Sequence, residues 1–366
     1  MTQRQNAAEA FSRIVVIVTR QIGDVLLTTP LIRATRERWP RARIDVLGFA
    51  GTLSILAGNP DVDECIEVQA GAGWRQSWPL IRRLWRSYDL ALIAQYTDRA
   101  HLYGWLSARV RSGQVPAGPE GRWKRAMLHH AVDLDDHQSH VVLEKLRLLS
   151  PWVTAMPGPE VVPPQAAPLP EELAALLGSR PVVLHVPSLV NYKQWPLPSY
   201  ATLARALLEM GWQVVLTGGP SREDRTIVTR MLALMGDAAN LPIDACGQLN
   251  FNQMSTLLSG AALYVGPDTS VTHLAAACGT PLIALFGPIN PQLWGPWPRG
   301  GPAEQPYASN AYRQSRSNVI LLQSDLSCVP CNGAGCDKHP GSRSECLETM
   351  TVERVVAEAL QILRTA

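Results

Sequence analysis

No stretch of this sequence approaches the ~20 consecutive apolar residues that cross a bilayer. The first apolar run, Ile14 to Val18, is short and lies behind a polar arm, Met1 to Ser12. No secretory signal is visible, so a cytoplasmic location is expected, with peripheral contact to the inner face of a membrane still open. A strong charge of either sign is also missing. The 33 Lys and Arg nearly balance 31 Asp and Glu, leaving +2, which creates no general field for nucleic acid. Repeats of solenoid period and low-complexity tracts are absent. With 46% hydrophobic and 17% charged residues, the composition excludes disorder. The 366 residues suffice for two domains, each with its own core.

What is present is alternation. Apolar runs of strand length alternate with helical patterns, the signature of a parallel α/β architecture. In the first half, strands are expected at Arg13 to Val18, Arg43 to Leu47 and Tyr88 to Ala94, with helices at Asp24 to Arg38 and Ser139 to Leu149. Pro151 to Pro170 holds seven prolines and reads as a linker. The pattern then restarts, with strands at Pro181 to Val186, Gln213 to Thr217, Ala261 to Val265 and Leu282 to Phe286. Helices are expected at Pro198 to Met210, Arg222 to Met235, Phe251 to Ser259, Leu274 to Cys278 and Val352 to Arg364. The expected division is 1–165, 166–350 with a Cys-rich segment at 328–346, and a closing helix at 351–366. Ligands of open parallel sheets bind beyond the carboxyl ends of the strands, and two such sheets facing each other would form a cleft.

Four segments carry candidate chemistry. In Gly266-Pro267-Asp268-Thr269-Ser270-Val271-Thr272-His273, a carboxylate, hydroxyls and free N–H groups meet a helix start, a seat suited to phosphate. An ordinary Asp-Thr-Ser cap has the same composition. In Thr19 to Pro30, Gly23 permits a tight turn and Asp24 opens a helix. Asp24 is either a cap or a general base for an incoming hydroxyl. In His185 to Pro196, Ser188 and Lys193 could reach phosphate oxygens, or Trp195 could simply pack with Lys193 exposed. In Thr217 to Asp224, Glu223 or Asp224 could accept from ribose hydroxyls or form a charged first turn. Basic residues gather in the first half at Arg82, Arg83, Arg86, Arg109, Arg111, Arg122, Lys124 and Arg125, facing an anionic partner or solvent.

Seven cysteines are present, four of them as Cys328-x2-Cys331-x4-Cys336-x9-Cys346. In a cytoplasmic chain this spacing suggests a structural metal, zinc by default, or reduced free thiols. His339 lies inside that loop as a substitute ligand.

Taken together, the segments resemble glycosyltransferase family 9, the ADP-heptose:lipopolysaccharide heptosyltransferases. The resemblance rests on the strand and Gly23-Asp24 turn ending at Pro30, Lys193-x-Trp195-Pro196, Gly218-Gly219-Pro220, and Asp268-Thr269-x-x-x-His273-Leu274-Ala275-Ala276 through Gly287-Pro288. Asn59 to Asp63 and Ala108-Arg109-Val110 also look like family features. The resemblance implies a GT-B fold, two Rossmann-like domains whose parallel sheets face a central cleft. It implies inverting transfer from ADP-heptose to a hydroxyl of the lipopolysaccharide inner core, with no catalytic cofactor. Asp24 is then the base, and Ser188, Lys193, Glu223, Asp268, Thr269, Ser270 and His273 bind the donor. Related enzymes that modify autotransporter proteins imply iron as an alternative to zinc at the cysteines. A protein or small-molecule acceptor, or a non-catalytic nucleotide-sugar module, are the competing readings. A GT-B epimerase would want further acid/base carboxylates that the motifs do not supply.

Overall fold

The computed structural model describes residues 10–364 apart from 72, 117, 135–137, 157, 237–239 and 302–303. The chain divides into two units, residues 1–164 with 302–305, and residues 165–301 with 306–366.

The first unit is a six-stranded sheet in the order β3-β2-β1-β4-β5-β6. Its strands are β1 (Arg13–Val18), β2 (Arg43–Phe49), β3 (Glu64–Val68), β4 (Tyr88–Ile93), β5 (Ala108–Val115) and β6 (His130–Asp133). All neighbours pair in parallel. Central β1 reads Arg-Ile-Val-Val-Ile-Val, and all five residues after Arg13 are buried. Such a run has no polar face because helices cover both sides of a parallel sheet. One of these layers is built close. A Cβ on Gly104 would lie 2.3 Å from Ile93 Cδ1, so the helix Asp98–Ser107 needs glycine there to approach β4.

The second unit is a seven-stranded sheet in the order β12-β13-β11-β10-β7-β8-β9. Here β7 is Val182–His185, β8 Val214–Thr217, β9 Ile243–Asp244, β10 Leu263–Pro267, β11 Leu282–Leu285, β12 Arg313–Arg316 and β13 Val319–Leu322. Only β12 runs antiparallel to its neighbour, closing one edge. The closing helix Val352–Leu363 belongs to this unit, with Val355, Ala359 and Leu363 in its core.

In both sheets the strand order reverses next to the first strand of the unit, between β1 and β4 in one and β7 and β10 in the other. Doubly wound sheets bind ligands at such switch points, where loops leave in opposite directions and open a crevice.

Several expected boundaries differ. Asp24 does not open its helix. That helix, α1 (Ile22–Leu26), starts two residues earlier with Gln21 at its N-cap. The chain breaks at Leu27 and Thr28 before α2 (Thr29–Arg38), which carries proline in its first turn. The expected continuous helix is therefore two, because Pro30 has no N–H to continue a ladder. The expected helix at Ser139 to Leu149 is α3 (Val141–Leu146), followed by a 3-10 turn at Arg147–Leu149. The helix after β10, α4 (Ser270–Cys278), begins four residues before Leu274 and ends on Gly279 at φ 80°.

Candidate active site

In the second unit, β7 and β10 lie side by side at the switch point, with Val265 in register with Leu184. The loops leaving their carboxyl ends carry most of the expected donor residues. From the β7 loop, Lys193 reaches across to Asp268 beyond β10, with Nζ 2.6 Å from Oδ2. His273 Nε2 lies 3.7 Å from the other oxygen of the same carboxylate. Asp268 is buried, and burial alone would raise its pKa. The ammonium of Lys193 and the imidazole of His273 outweigh that and bring it to about 2. His273 Nδ1 is buried and has no hydrogen-bond partner among the described residues. A buried polar atom without a partner is uncommon in a folded chain.

The turn that carries Asp268 is braced from beneath. Thr272 Oγ1 donates to the Pro267 carbonyl at 2.5 Å, and the Tyr264 hydroxyl lies 2.8 Å from the same Thr272 oxygen. Thr269 is the N-cap of α4 but makes no side-chain cap bond. Thr269 and Ser270 are partly exposed at the helix start, beside N–H groups that the helix itself leaves open. Helix N-termini of this kind favour phosphate.

The packing reading of the Lys193 segment holds for Trp195 but not for Lys193. Trp195 is fully buried, donates from Nε1 to the Met350 carbonyl at 2.9 Å, and meets Tyr200 edge-on at 5.0 Å. That anchor fixes the short turn Asn191–Lys193, and Lys193 is engaged, not solvated. Ser188 stands half-exposed in the same loop. The Gly218-Gly219 turn follows β8, next to β7. There Asp224 is occupied structurally: its Oδ2 accepts from Gly219 N at 2.7 Å, and its own N–H donates to Ser221, the N-cap. Glu223 is exposed on the same first turn.

In the first unit, Asp24 follows β1 at the β1/β4 switch point. Its carboxylate caps nothing, since α1 lacks a side-chain cap bond. It is partly exposed, and Arg20 Nε lies 3.6 Å from its Oδ2. The sequence reading missed what lies beneath it. Lys145, on α3, is 2% exposed and donates from Nζ to the Asp24 carbonyl at 2.8 Å and to Thr28 Oγ1 at 2.9 Å. Thr28 Oγ1 donates to the same Asp24 carbonyl at 2.7 Å. Burial pushes Lys145 down to about 8, against the pull of Asp24 upward. A signal existed in the pattern: Val141, Val142, Lys145 and Leu146 form the buried face of α3, and a lysine stands where an apolar residue belongs.

Among the described residues the expected metal ligands are not set as a coordination site. All seven cysteines are free thiols. Burial, then the thiols of Cys331, Cys336 and Cys328, push Cys346 up to about 12, so those three lie within electrostatic reach of it. Among the described residues, however, no group of three or more His, Cys, Asp or Glu is arranged to hold a metal ion. Cys346 is buried against Gly287, while Cys328, Cys331 and Cys336 are exposed and Cys336 accepts from Glu345 N at 3.4 Å.

Two doubly wound α/β units, each with polar groups at its switch point, are a plan that nucleotide-binding enzymes share. The profile of glycosyltransferase family 9 (heptosyltransferase) matches residues 77–308. Lipopolysaccharide heptosyltransferase 3 of Escherichia coli K12 is 31% identical over 76% of this chain and 83% of its own. Lipopolysaccharide heptosyltransferase 1 of Pseudomonas aeruginosa is 30% identical over 90% of this chain and 88% of its own. Among solved structures, a family 9 glycosyltransferase from Veillonella parvula superposes with a TM-score of 0.75 at 20% identity, covering 99% of this chain and all of the other. The E. coli ADP-heptose lipopolysaccharide heptosyltransferase II gives 0.71 at 21%, covering 96% and 99%. The fold is thus that of the solved heptosyltransferases, and the protein is a glycosyl-transferring enzyme. The chain belongs to glycosyltransferase family 9.

Proposed function

We propose that this protein transfers a heptose from ADP-heptose to a hydroxyl of the lipopolysaccharide inner core, inverting the anomeric centre. The observation that carries the reading is the joining of the β7 and β10 loops through Lys193, Asp268 and His273 at a switch point. In this reading Lys193 and the N-terminus of α4 hold the donor diphosphate. Ser188, Thr269, Ser270 and His273 add donor contacts. Negative charge grows on ADP as the glycosidic bond breaks, and fixed donors and one cation stabilise it. Glu223, exposed on the same turn, is the less secure choice for the ribose, and both Asp224 oxygens already accept a hydrogen bond within that turn. Asp24 takes the proton of the acceptor hydroxyl, an uncapped carboxylate on a helix whose first turn is fixed from below.

No catalytic cofactor enters this mechanism. A structural zinc or iron at Cys328, Cys331, Cys336 and Cys346 rests on the spacing of the four cysteines in the sequence. One equivalent of metal in the purified chain supports it, and none removes it. The enzyme works at the cytoplasmic face of the inner membrane, in peripheral contact with it. No helix among the described residues is long and apolar enough to cross a membrane.

The test is incubation with ADP-heptose and other nucleotide sugars, reading ADP release and donor-dependent protection against heat. Asp24→Ala is expected to abolish transfer and keep donor protection. Retained turnover removes the base assignment. Protection by a different nucleotide sugar alone removes the heptose donor. Mass shifts on lipopolysaccharide core, on a protein or on a small glycoside decide the acceptor.

A further inference from the structure

The first unit exposes a surface that neither the donor residues nor Asp24 use. The helix Trp74–Leu84 presents Trp78 and Arg82, with Trp85 just beyond its end, at i, i+4 and i+7. This spacing forms one stripe. Trp78 and Trp85 are 53% and 54% exposed. On the next helix, Leu102 and Trp105 are three residues apart and 53% and 49% exposed. The two helices are tied where the stripes meet. Arg86 N donates to the Leu106 carbonyl at 3.0 Å, and the rings of Trp85 and Trp105 meet edge-on at 6.4 Å. The Arg86 guanidinium sits 5.9 Å from the Trp85 ring. Arg82 and Arg86 have no carboxylate at ion-pair distance among the described residues.

Burying such rings in the core would be the ordinary use of tryptophan, and three of them in water need a partner. Charge decides which. On the helix Trp74–Leu84 and just beyond it, Arg83 is paired with Glu64, while Arg82 and Arg86 stand among the exposed rings without such a carboxylate among the described residues, so the face is positive. A second copy would meet this face with the same face under two-fold symmetry, setting like charge on like charge. An anionic bilayer offers the opposite sign. Its interfacial layer is also where tryptophan, with an apolar body and a polar N–H, is favoured.

We propose that Trp78, Arg82, Trp85, Arg86, Leu102 and Trp105 form the face by which this protein lies on an anionic lipid surface. The proposal rests on the membrane-side location given above, but not on the donor or the base. The test is co-sedimentation of the full chain with vesicles of phosphatidylcholine alone or with 30% phosphatidylglycerol. Binding is expected only to the anionic vesicles, weakening as salt rises, with a blue shift of tryptophan emission. Arg82→Gln is expected to weaken binding by roughly five-fold, the effect of one basic residue near such a surface. Trp85→Ala with Trp105→Ala is expected to weaken it at least ten-fold, while thermal unfolding and heat protection by ADP stay unchanged. Equal binding to both vesicles, or binding that ignores these substitutions, overturns the proposal. So does a concentration-dependent dimer that the double substitution dissolves, which would make the face a contact between copies. Each result is read without turnover, so failure here leaves the transfer reading standing, and failure of transfer leaves this one.

Discussion

Lys145→Met separates the stability of the fold from the positioning of its proposed base. In the native protein the ammonium is buried and its pKa falls from 10.5 to about 8. A shift of that size makes the charged form cost about 3 kcal/mol, at about 1.4 kcal/mol per unit. The sign follows from linkage. Between about 8 and 10.5 the unfolded chain binds the proton and the folded chain has released it, so stability rises with pH across that window. The gain is complete above the unfolded value and is lost as pH falls through 8. Methionine removes the charge cost and keeps the volume, but gives up the two hydrogen bonds to Asp24 O and Thr28 Oγ1, each about 1.5–3 kcal/mol because the donor is charged. At pH 7 the variant is therefore expected to be neutral or up to about 3 kcal/mol less stable, by this balance. Its stability should lose the rise between pH 8 and 10. Transfer should nevertheless fall by about ten-fold or more, because a small displacement of a proton acceptor is enough for that. Chemical denaturation at a series of pH values, beside ADP release at saturating donor, gives both numbers. An unchanged pH slope refutes the charged-lysine account. A stable variant with full turnover refutes the link from Lys145 to Asp24, and Lys145→Arg should restore part of the rate if the tether is what matters.

Two further expectations concern the second unit. Trp195→Phe leaves the Met350 carbonyl buried without its 2.9 Å donor and should cost about 1–3 kcal/mol. It should also weaken donor protection more than a remote core change of equal cost, because Trp195 anchors the turn that carries Lys193. Asp268, held near 2, contributes stability above its unfolded value of 3.8 that disappears as pH falls through 2. Acid unfolding of Asp268→Asn should lack that component, and an identical acid profile would contradict the ion pair.

The plan of the fold was legible because parallel strands buried on both faces are nearly continuous apolar runs. Val182–His185, Val214–Thr217 and Leu282–Leu285 lie where such runs stand, to within a residue or two. The antiparallel β12 was not legible, since Arg-Gln-Ser-Arg has no apolar face. In the site, the types of residue were readable and their partners were not. Lys193 and Asp268 are 75 positions apart, and only the order of β7 and β10 in the sheet makes them neighbours. Asp24 looked like a cap because acidic residues gather at helix starts for two reasons, hydrogen bonding and the dipole. The backbone shows only the second, since Gln21 holds the cap position. Lys145 was passed over because long cations are usually solvated, and a single one on a buried face is easily read as the edge of an amphipathic pattern.

The Lys193–Asp268 pair sets two effects against each other, and one substitution tells them apart. A phosphate oxygen taking a hydrogen bond of about 2.8 Å from Nζ comes within about 6 Å of the carboxylate already on that nitrogen. At that separation two unit charges repel by about 3 kcal/mol at an effective dielectric of about 20. Asp268 therefore opposes the anion it helps to seat. Its positive role is orientation, since it holds both the Lys193 ammonium and the His273 ring from one buried point. Asp268→Asn keeps the shape and removes the charge. If orientation matters mainly during transfer, ADP should bind several-fold tighter to this variant while turnover drops by about a hundred-fold, a loss of transition-state stabilisation of about 3 kcal/mol. Calorimetric titration with ADP and steady-state ADP release at saturating donor give the two arms. Weaker ADP binding would mean that Lys193 cannot find the phosphate without the carboxylate to aim it, and Asp268 would then be a ground-state binding group.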